Sequence, residues 1–204
     1  LLRNFDPARV LADIQRYSVS HMFGAPAMFQ FMSQHPVFAA TDLSSIRTLL
    51  CGAAPVPESL IELYATRGIN FCQGYGLTET SPVITVNGFG RARFGTVGKV
   101  VPGVEVKIAA DGEILTRGPN GMKGYYNKPE ATAEVLSPDG WFSTGDIGKL
   151  DADGYLWITD RKKDIIVTSG GKNIAPQPIE NKLKTNRFFA EVVMIGDRRK
   201  FPVA

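Results

Sequence analysis

Ile69-Asn70-Phe71-Cys72-Gln73-Gly74-Tyr75-Gly76-Leu77-Thr78-Glu79-Thr80 is the stretch that decides how this chain is read. Its first five residues predict a short buried strand, and Gly74 breaks that pattern. Hydroxyl and carboxylate side chains follow at once. Ligands bind at the carboxyl ends of parallel strands, so the segment is a candidate nucleotide site. Gly74 and Gly76 allow close backbone approach to a ligand. Tyr75 offers an aromatic face, Thr78 a hydroxyl for a phosphate oxygen, and Glu79 a carboxylate for Mg²⁺ held on that phosphate. Spacing alone is also satisfied by a glycine-rich strand-to-loop turn with an exposed cap.

Upstream, strand and helix alternate. Asp6-Pro7 followed by Val10, Leu11, Ile14 and Tyr17 has a cap residue, a first-turn proline and helical periodicity, which predicts a helix over 7–17. Residues 19–23 read as a strand, Pro26 opens a second helix through Met32, residues 46–51 read as a buried strand, and Pro57 begins a third helix. This βαβ order predicts an α/β fold with a mostly parallel sheet.

Downstream the texture changes. Short runs at 104–108, 113–116 and 155–159 alternate with Asp-Gly pairs at 111–112, 139–140 and 153–154, predicting a small antiparallel β subdomain. After Asp160 come the charged run Arg161-Lys162-Lys163-Asp164, an apolar run 165–167, a Ser-Gly-Gly turn, a proline-rich helix start and a strand expected at 192–195. The expected organisation is therefore 1–94 as the α/β part of a large domain, 95–159 as its antiparallel subdomain, and 160–204 as a hinge and an incomplete small α+β domain. The chain starts at Leu1 and stops just past an apolar run, so sequence is expected to be missing on both sides.

Bulk properties exclude several classes. Of 204 residues, 44% are hydrophobic and 21% charged, enough apolar material for a core. The 23 basic and 20 acidic residues are interspersed, leaving a net charge of +3 and no cationic face for nucleic acid. Cys51 and Cys72 make neither a disulfide framework nor a metal motif, and a reducing, cytoplasmic setting is expected. No apolar run approaches the roughly 18 to 20 residues of a membrane span. Peripheral membrane contact and oligomeric state stay open. His21 and His35, in a strand and beside a proline, are expected to be structural.

Gln73 to Thr80 closely resembles the Tyr-Gly-x-Thr-Glu signature of the adenylate-forming superfamily, which comprises the acyl-CoA synthetases, luciferases and peptide-synthetase adenylation domains. Leu50-Cys51-Gly52-Ala53-Ala54-Pro55-Val56-Pro57 resembles its small-residue loop, which would place Gly52, Ala53 and Ala54 against adenine and the acyl group. Gly140-Trp141-Phe142-Ser143-Thr144-Gly145-Asp146 resembles its Thr-Gly-Asp element, implying that Asp146 accepts from both ribose hydroxyls. By the same resemblance Arg161 contacts the ribose, Lys163 sits at the hinge, and Gly170 and Gly171 line a channel for the pantetheine thiol. Read without it, these segments are a strand-to-helix connection, a turn aspartate, a solvated charge run and a tight turn.

The resemblance covers nearly all of residues 5–204 and implies ATP and CoA as substrates, Mg²⁺ as cofactor, AMP as product, and a small carboxylic acid as partner. Asp160-Arg161-Lys162-Lys163-Asp164-Ile165-Ile166 and Gly171-Lys172-Asn173-Ile174-Ala175-Pro176 are more similar to long-chain fatty acyl-CoA ligases than to amino-acid adenylation domains. Three alternatives remain: an aryl or coumarate-type CoA ligase, an adenylation domain loading a carrier protein, and a nucleotide-binding module without turnover. The pyrophosphate loop and the C-terminal lysine of the superfamily are absent from these residues, so the fragment alone is expected to be inactive.

Overall fold

The computed structural model describes residues 4–54, 56–88, 90, 92–184 and 192–204. It divides into two compact units, Leu1–Pro102 and Gly103–Ala204.

The first unit alternates as expected: α1 (Pro7–Tyr17), β1 (His21–Gly24), α2 (Pro26–Gln34), β2 (Thr48–Cys51), α3 (Glu58–Ala65) and β3 (Asn70–Tyr75), followed by β4 (Thr85–Asn87) and β5 (Gly98–Val100). Strands lie in that order, β1 to β3 parallel and β4 and β5 added antiparallel, so the sheet is mixed. Local signals set the helix ends. The Asp6 carboxylate accepts from the Arg9 N–H at 3.1 Å, Pro7 and Pro26 start α1 and α2, and Pro57 caps α3 instead of opening it.

The core between helices and strands joins Leu11 and Ile14 of α1, Phe29 and Met32 of α2, Leu60 and Tyr64 of α3, and Leu49, Cys51 and Phe71 of the sheet. Phe29 packs edge-on against Tyr64 and Phe71, with ring centroids 6.0 and 5.2 Å apart. Tyr64 is fully buried, and its hydroxyl is satisfied by donating to the Phe29 carbonyl at 2.9 Å. Burial raises its pKa. The thiol of Cys51 is likewise pushed up to about 12 by burial, which keeps it protonated and inert.

Several strand boundaries shift by one or two residues from the sequence reading, and the end of β3 is the one that bears on the site. β3 continues past Gln73 through Gly74 and Tyr75, because Val86 and Thr85 of β4 stand opposite them and supply an antiparallel ladder. β4 was invisible in the sequence. It has three residues, and its inward side chains, Thr85 and Asn87, are polar. Their burial is satisfied by the β4–β5 loop: Asn87 donates to the Arg93 and Thr96 carbonyls and accepts from the Arg93 N–H, and Thr85 donates to the Val97 carbonyl at 2.6 Å.

The second unit contains β6 (Glu105–Ile108), β7 (Glu113–Arg117), α4 (Pro129–Val135), β8 (Phe142–Leu150), β9 (Tyr155–Arg161), β10 (Ile166–Val167), β11 (Asn173–Ile174) and α5 (Pro176–Lys184). Strands β9-β8-β7-β6 are all antiparallel, and β10 and β11 form a separate hairpin. The three Asp-Gly pairs are turns: Gly112, Gly140 and Gly154 donate to the carbonyls of Ala109, Ser137 and Asp151. Asp160, at the end of β9, accepts from the Arg161 N–H at 2.7 Å and from the Gln177 N–H at the start of α5 at 3.2 Å. Its pKa is raised, chiefly by burial.

The strand expected at 192–195 does not form. Residues 192–194 carry no regular structure, and Ile195 makes a single two-way bridge with Val203 across the intervening turn. Val192 is buried, but Val193 and Ile195 are exposed, so no second strand covers the run among the described residues.

Candidate functional site

The expected contacts fall into two groups, one in each unit. In the first, β3 delivers Tyr75 to the strand end, and the chain turns through Gly76 and Leu77 into a single 3-10 turn, Thr78–Thr80. Thr80 builds this turn. Fully buried, its hydroxyl accepts from the Leu77 N–H at 2.9 Å and lies 3.0 and 3.1 Å from the Leu77 and Pro82 carbonyls. Thr78 is exposed and Glu79 half-buried.

Gly76 has a reason to be glycine within the fold itself. A Cβ there would collide with the Pro82 carbonyl, so the space is needed by the protein's own returning chain. The small-residue loop after β2 reaches the same place. A Cβ on Gly52 would lie 3.1 Å from the Gly74 carbonyl, so the two glycine motifs run side by side at the ends of parallel β2 and β3. Gly52 is buried, while Ala53 and Ala54 are exposed and Ala53 has a φ of 71°, unusual for a non-glycine residue.

In the second unit the Thr-Gly-Asp element is part of strand β8, where the sequence offered only a turn. Leu115 pairs with Ser143 and Glu113 with Ile147, so Thr144, Gly145 and Asp146 together stand opposite Ile114 alone. The result is a bulge that bends the strand and redirects its side chains. Three contacts hold it. Thr144 donates its hydroxyl to the Ile114 carbonyl at 2.7 Å and accepts from the Asp146 N–H at 3.1 Å. Gly145 takes a φ of 72°, which a side chain would strain, and donates its N–H to Glu113 Oε1 at 2.9 Å.

Asp146 is 3% exposed and faces Arg161 directly across the β8–β9 ladder. Arg161 Nε lies 2.9 Å from Asp146 Oδ1. The two residues separately expected at a ribose are therefore neighbours. A buried carboxylate needs a cationic partner, and Arg161 supplies one.

Asp111, Glu113 and Lys162 were missed by sequence reasoning. Lys162 Nζ lies 2.7 Å from Glu113 Oε2 and 2.8 Å from Asp111 Oδ2, while Asp111 Oδ1 accepts from the Glu113 N–H. Hydrogen bonds to Asp111 and then Glu113 raise the Lys162 pKa, and the bond from Lys162 lowers that of Asp111. Asp111 was visible only as half of a turn. Nothing local linked Glu113 to a lysine 49 residues away.

Gly170 and Gly171 form the exposed turn of the β10–β11 hairpin, where Gly171 donates to the Thr168 carbonyl at 2.9 Å. Lys163 is exposed in the turn Lys162–Asp164. His21 and His35 make local hydrogen bonds, His21 Nδ1 with the Ser20 hydroxyl at 2.9 Å and His35 Nδ1 with the Val37 N–H at 3.4 Å. Among the described residues no cluster of three or more His, Cys, Asp or Glu could hold a metal alone, and no helix is long and apolar enough to cross a membrane.

Residues 2–126 match the model of the AMP-binding enzyme family, and residues 163–204 match that of the AMP-binding enzyme C-terminal domain. A feruloyl-CoA synthase from an Amycolatopsis species is 46% identical over 88% of this chain and 38% of its own length. A long-chain-fatty-acid–CoA ligase from Bacillus subtilis is 38% identical over 96% of the chain and 37% of its own length. The chain thus spans less than two fifths of these curated relatives. Among solved structures, the O-succinylbenzoate coenzyme A synthetase of Bacillus subtilis in complex with ATP and magnesium superimposes with a TM-score of 0.86 at 33% identity, over 99% of this chain and 44% of that one.

Proposed function

The chain belongs to the AMP-binding enzyme family, and we propose that the complete protein containing it joins a carboxylic acid to the α-phosphate of ATP, releasing pyrophosphate, and passes the acyl group to the CoA thiol. A carboxylate is a poor electrophile because its leaving group would be oxide. The acyl-adenylate provides AMP as a leaving group instead. The observation that carries the reading is the Thr144–Asp146 bulge, which sets a buried carboxylate opposite Arg161 in the element expected at a ribose. A carboxylate has about four acceptor positions, enough to serve Arg161 and a diol together.

In this reading Tyr75 and the small residues Gly52, Ala53 and Ala54 flank the adenine, and Thr78 donates to a phosphate oxygen. Gly170 and Gly171 lie along the thiol channel. Residues 1–94 and 95–159 make the large AMP-binding domain, and 160–204 the hinge and small domain. Mg²⁺ is commonly held by one or two carboxylates with phosphate oxygens and water. Glu79, a single half-buried carboxylate on a tightly bonded turn, suits that mode. When bound, the ion neutralises charge on the phosphate oxygens. Thr78 adds a preorganised donor beside it.

The acid we favour is a medium- or long-chain fatty acid, on the likeness of residues 160–176 to such ligases and the 38% identity to one of them. The 46% identity to a feruloyl-CoA synthase supports a second reading, an aromatic acid. Acid-dependent pyrophosphate exchange into ATP by the complete protein, screened across fatty acids of graded length, cinnamic-type acids and amino acids, tests both. Exchange with one class of free acid, followed by thioester formation on adding CoA, is the expected result. Exchange with amino acids and no thioester on CoA contradicts the proposal.

A further inference from the structure

Two consecutive cations at the end of β9 grip the Thr144–Asp146 bulge from different sides. Arg161 meets the Asp146 carboxylate itself. Lys162 reaches Glu113, whose second oxygen holds the Gly145 N–H. Glu113 is only 6% exposed, so its charge is costly unless both oxygens are engaged, and they are. Asp111 closes the arrangement by accepting from the Glu113 N–H with one oxygen and pairing with Lys162 through the other.

A half-exposed Lys–Asp pair alone would carry little meaning. The difference lies in what Glu113 does with its other oxygen. The Gly145 N–H fixes the Thr144–Gly145 peptide, one link before Asp146, and the Thr144 hydroxyl holds the next link by accepting from the Asp146 N–H while donating to the Ile114 carbonyl. Loss of the Glu113 acceptor would free the middle of the bulge, and loss of Lys162 would leave the buried Glu113 carboxylate under-compensated and drawn toward water. Either change shifts the Asp146 side chain without removing it.

We propose that Glu113 and Lys162 are positioning residues of the nucleotide site, with Lys162 orienting Glu113, Glu113 orienting the Thr144–Gly145 peptide, and the bulge so fixed setting the Asp146 carboxylate against the ribose diol. The inference rests on Asp146 binding the ribose. On that footing the strength of the contact depends on a lysine whose Nζ is held by Glu113 and Asp111.

The test is acid-dependent pyrophosphate exchange by the complete protein, with KM for ATP and kcat measured separately for Lys162→Met, Lys162→Arg, Glu113→Gln, the Lys162→Met/Glu113→Gln double variant and Asp146→Ala. Thermal unfolding is recorded for each. Lys162→Met and Glu113→Gln are expected to raise KM for ATP about tenfold while kcat is retained, the scale of one charge-assisted hydrogen bond. Lys162→Arg should restore most of the affinity, and the double variant should be no worse than Glu113→Gln alone, because the two act in series. An unchanged KM in Lys162→Met, with Asp146→Ala impaired, overturns the positioning role and leaves the ribose reading standing. An unchanged KM in Asp146→Ala overturns the ribose reading and this inference with it. Should Glu113→Gln fail to fold, the half-exposed Lys162 pair of variants decides the matter alone.

Discussion

In the first unit the strand that presents Tyr75 is anchored in an aromatic and aliphatic core, where its own Phe71 is in mutual contact with Phe29 and Tyr64. In the second, the strand that presents Asp146 is shaped by side-chain hydrogen bonds and ion pairs at Thr144, Glu113, Arg161 and Lys162. Apolar packing is strong but does not discriminate by direction, so it suits a site made of backbone, small residues and a turn. Charged groups are directional, so they suit a site that must aim one carboxylate. Perturbing the two units should therefore have different signatures: loss of stability in the first, loss of affinity in the second.

The largest expected effect is on the first core. Phe29→Ala should destabilise the unit by roughly 3–5 kcal/mol, read from urea unfolding, since it removes a fully buried ring and both edge-on contacts. A loss well under that range would mean that the core collapses around the gap. Next comes Gly76→Ala, where the new methyl meets the Pro82 carbonyl. It should cost about 3 kcal/mol and disturb the turn bearing Thr78 and Glu79. Near-neutral behaviour there would show that the turn is softer than its bonds suggest.

These two predictions also mark what could be read in advance. Pro7, Pro26 and the cap Asp6 act within one turn of chain, so α1 and α2 were legible, as were the Asp-Gly turns. Thr85 and Asn87 gave no strand signal because their burial is compensated by the carbonyls of Val97, Arg93 and Thr96, a long-range fact. Each site residue could be proposed from its motif, yet the pairing of Asp146 with Arg161 and the Glu113–Lys162 contact depend on strand register. A close approach at Gly76 was legible, but the Pro82 carbonyl as one of the groups involved was not.

In the second unit the effects should be smaller on stability and larger on binding. Asp146→Ala should weaken ATP binding by roughly 1.5–3 kcal/mol if both hydroxyl contacts are lost, measured by titration calorimetry on the complete protein. Unchanged affinity would place the ribose elsewhere. The smallest effect is a pH dependence. Lys162 lowers the native pKa of Asp111, so the stability this contributes is in place above the ordinary value of 3.8 and is lost as pH falls through the lowered native value. Lys162→Met should flatten that acid limb of the stability curve. An identical limb in the variant would show that the contact is screened away in solution.

The central proposal is that the buried Asp146 carboxylate binds the ribose of the nucleotide. A crystal structure of the complete protein with AMP tests it directly. The expected result is both ribose hydroxyls on Asp146. A ribose that lies away from Asp146 would contradict it.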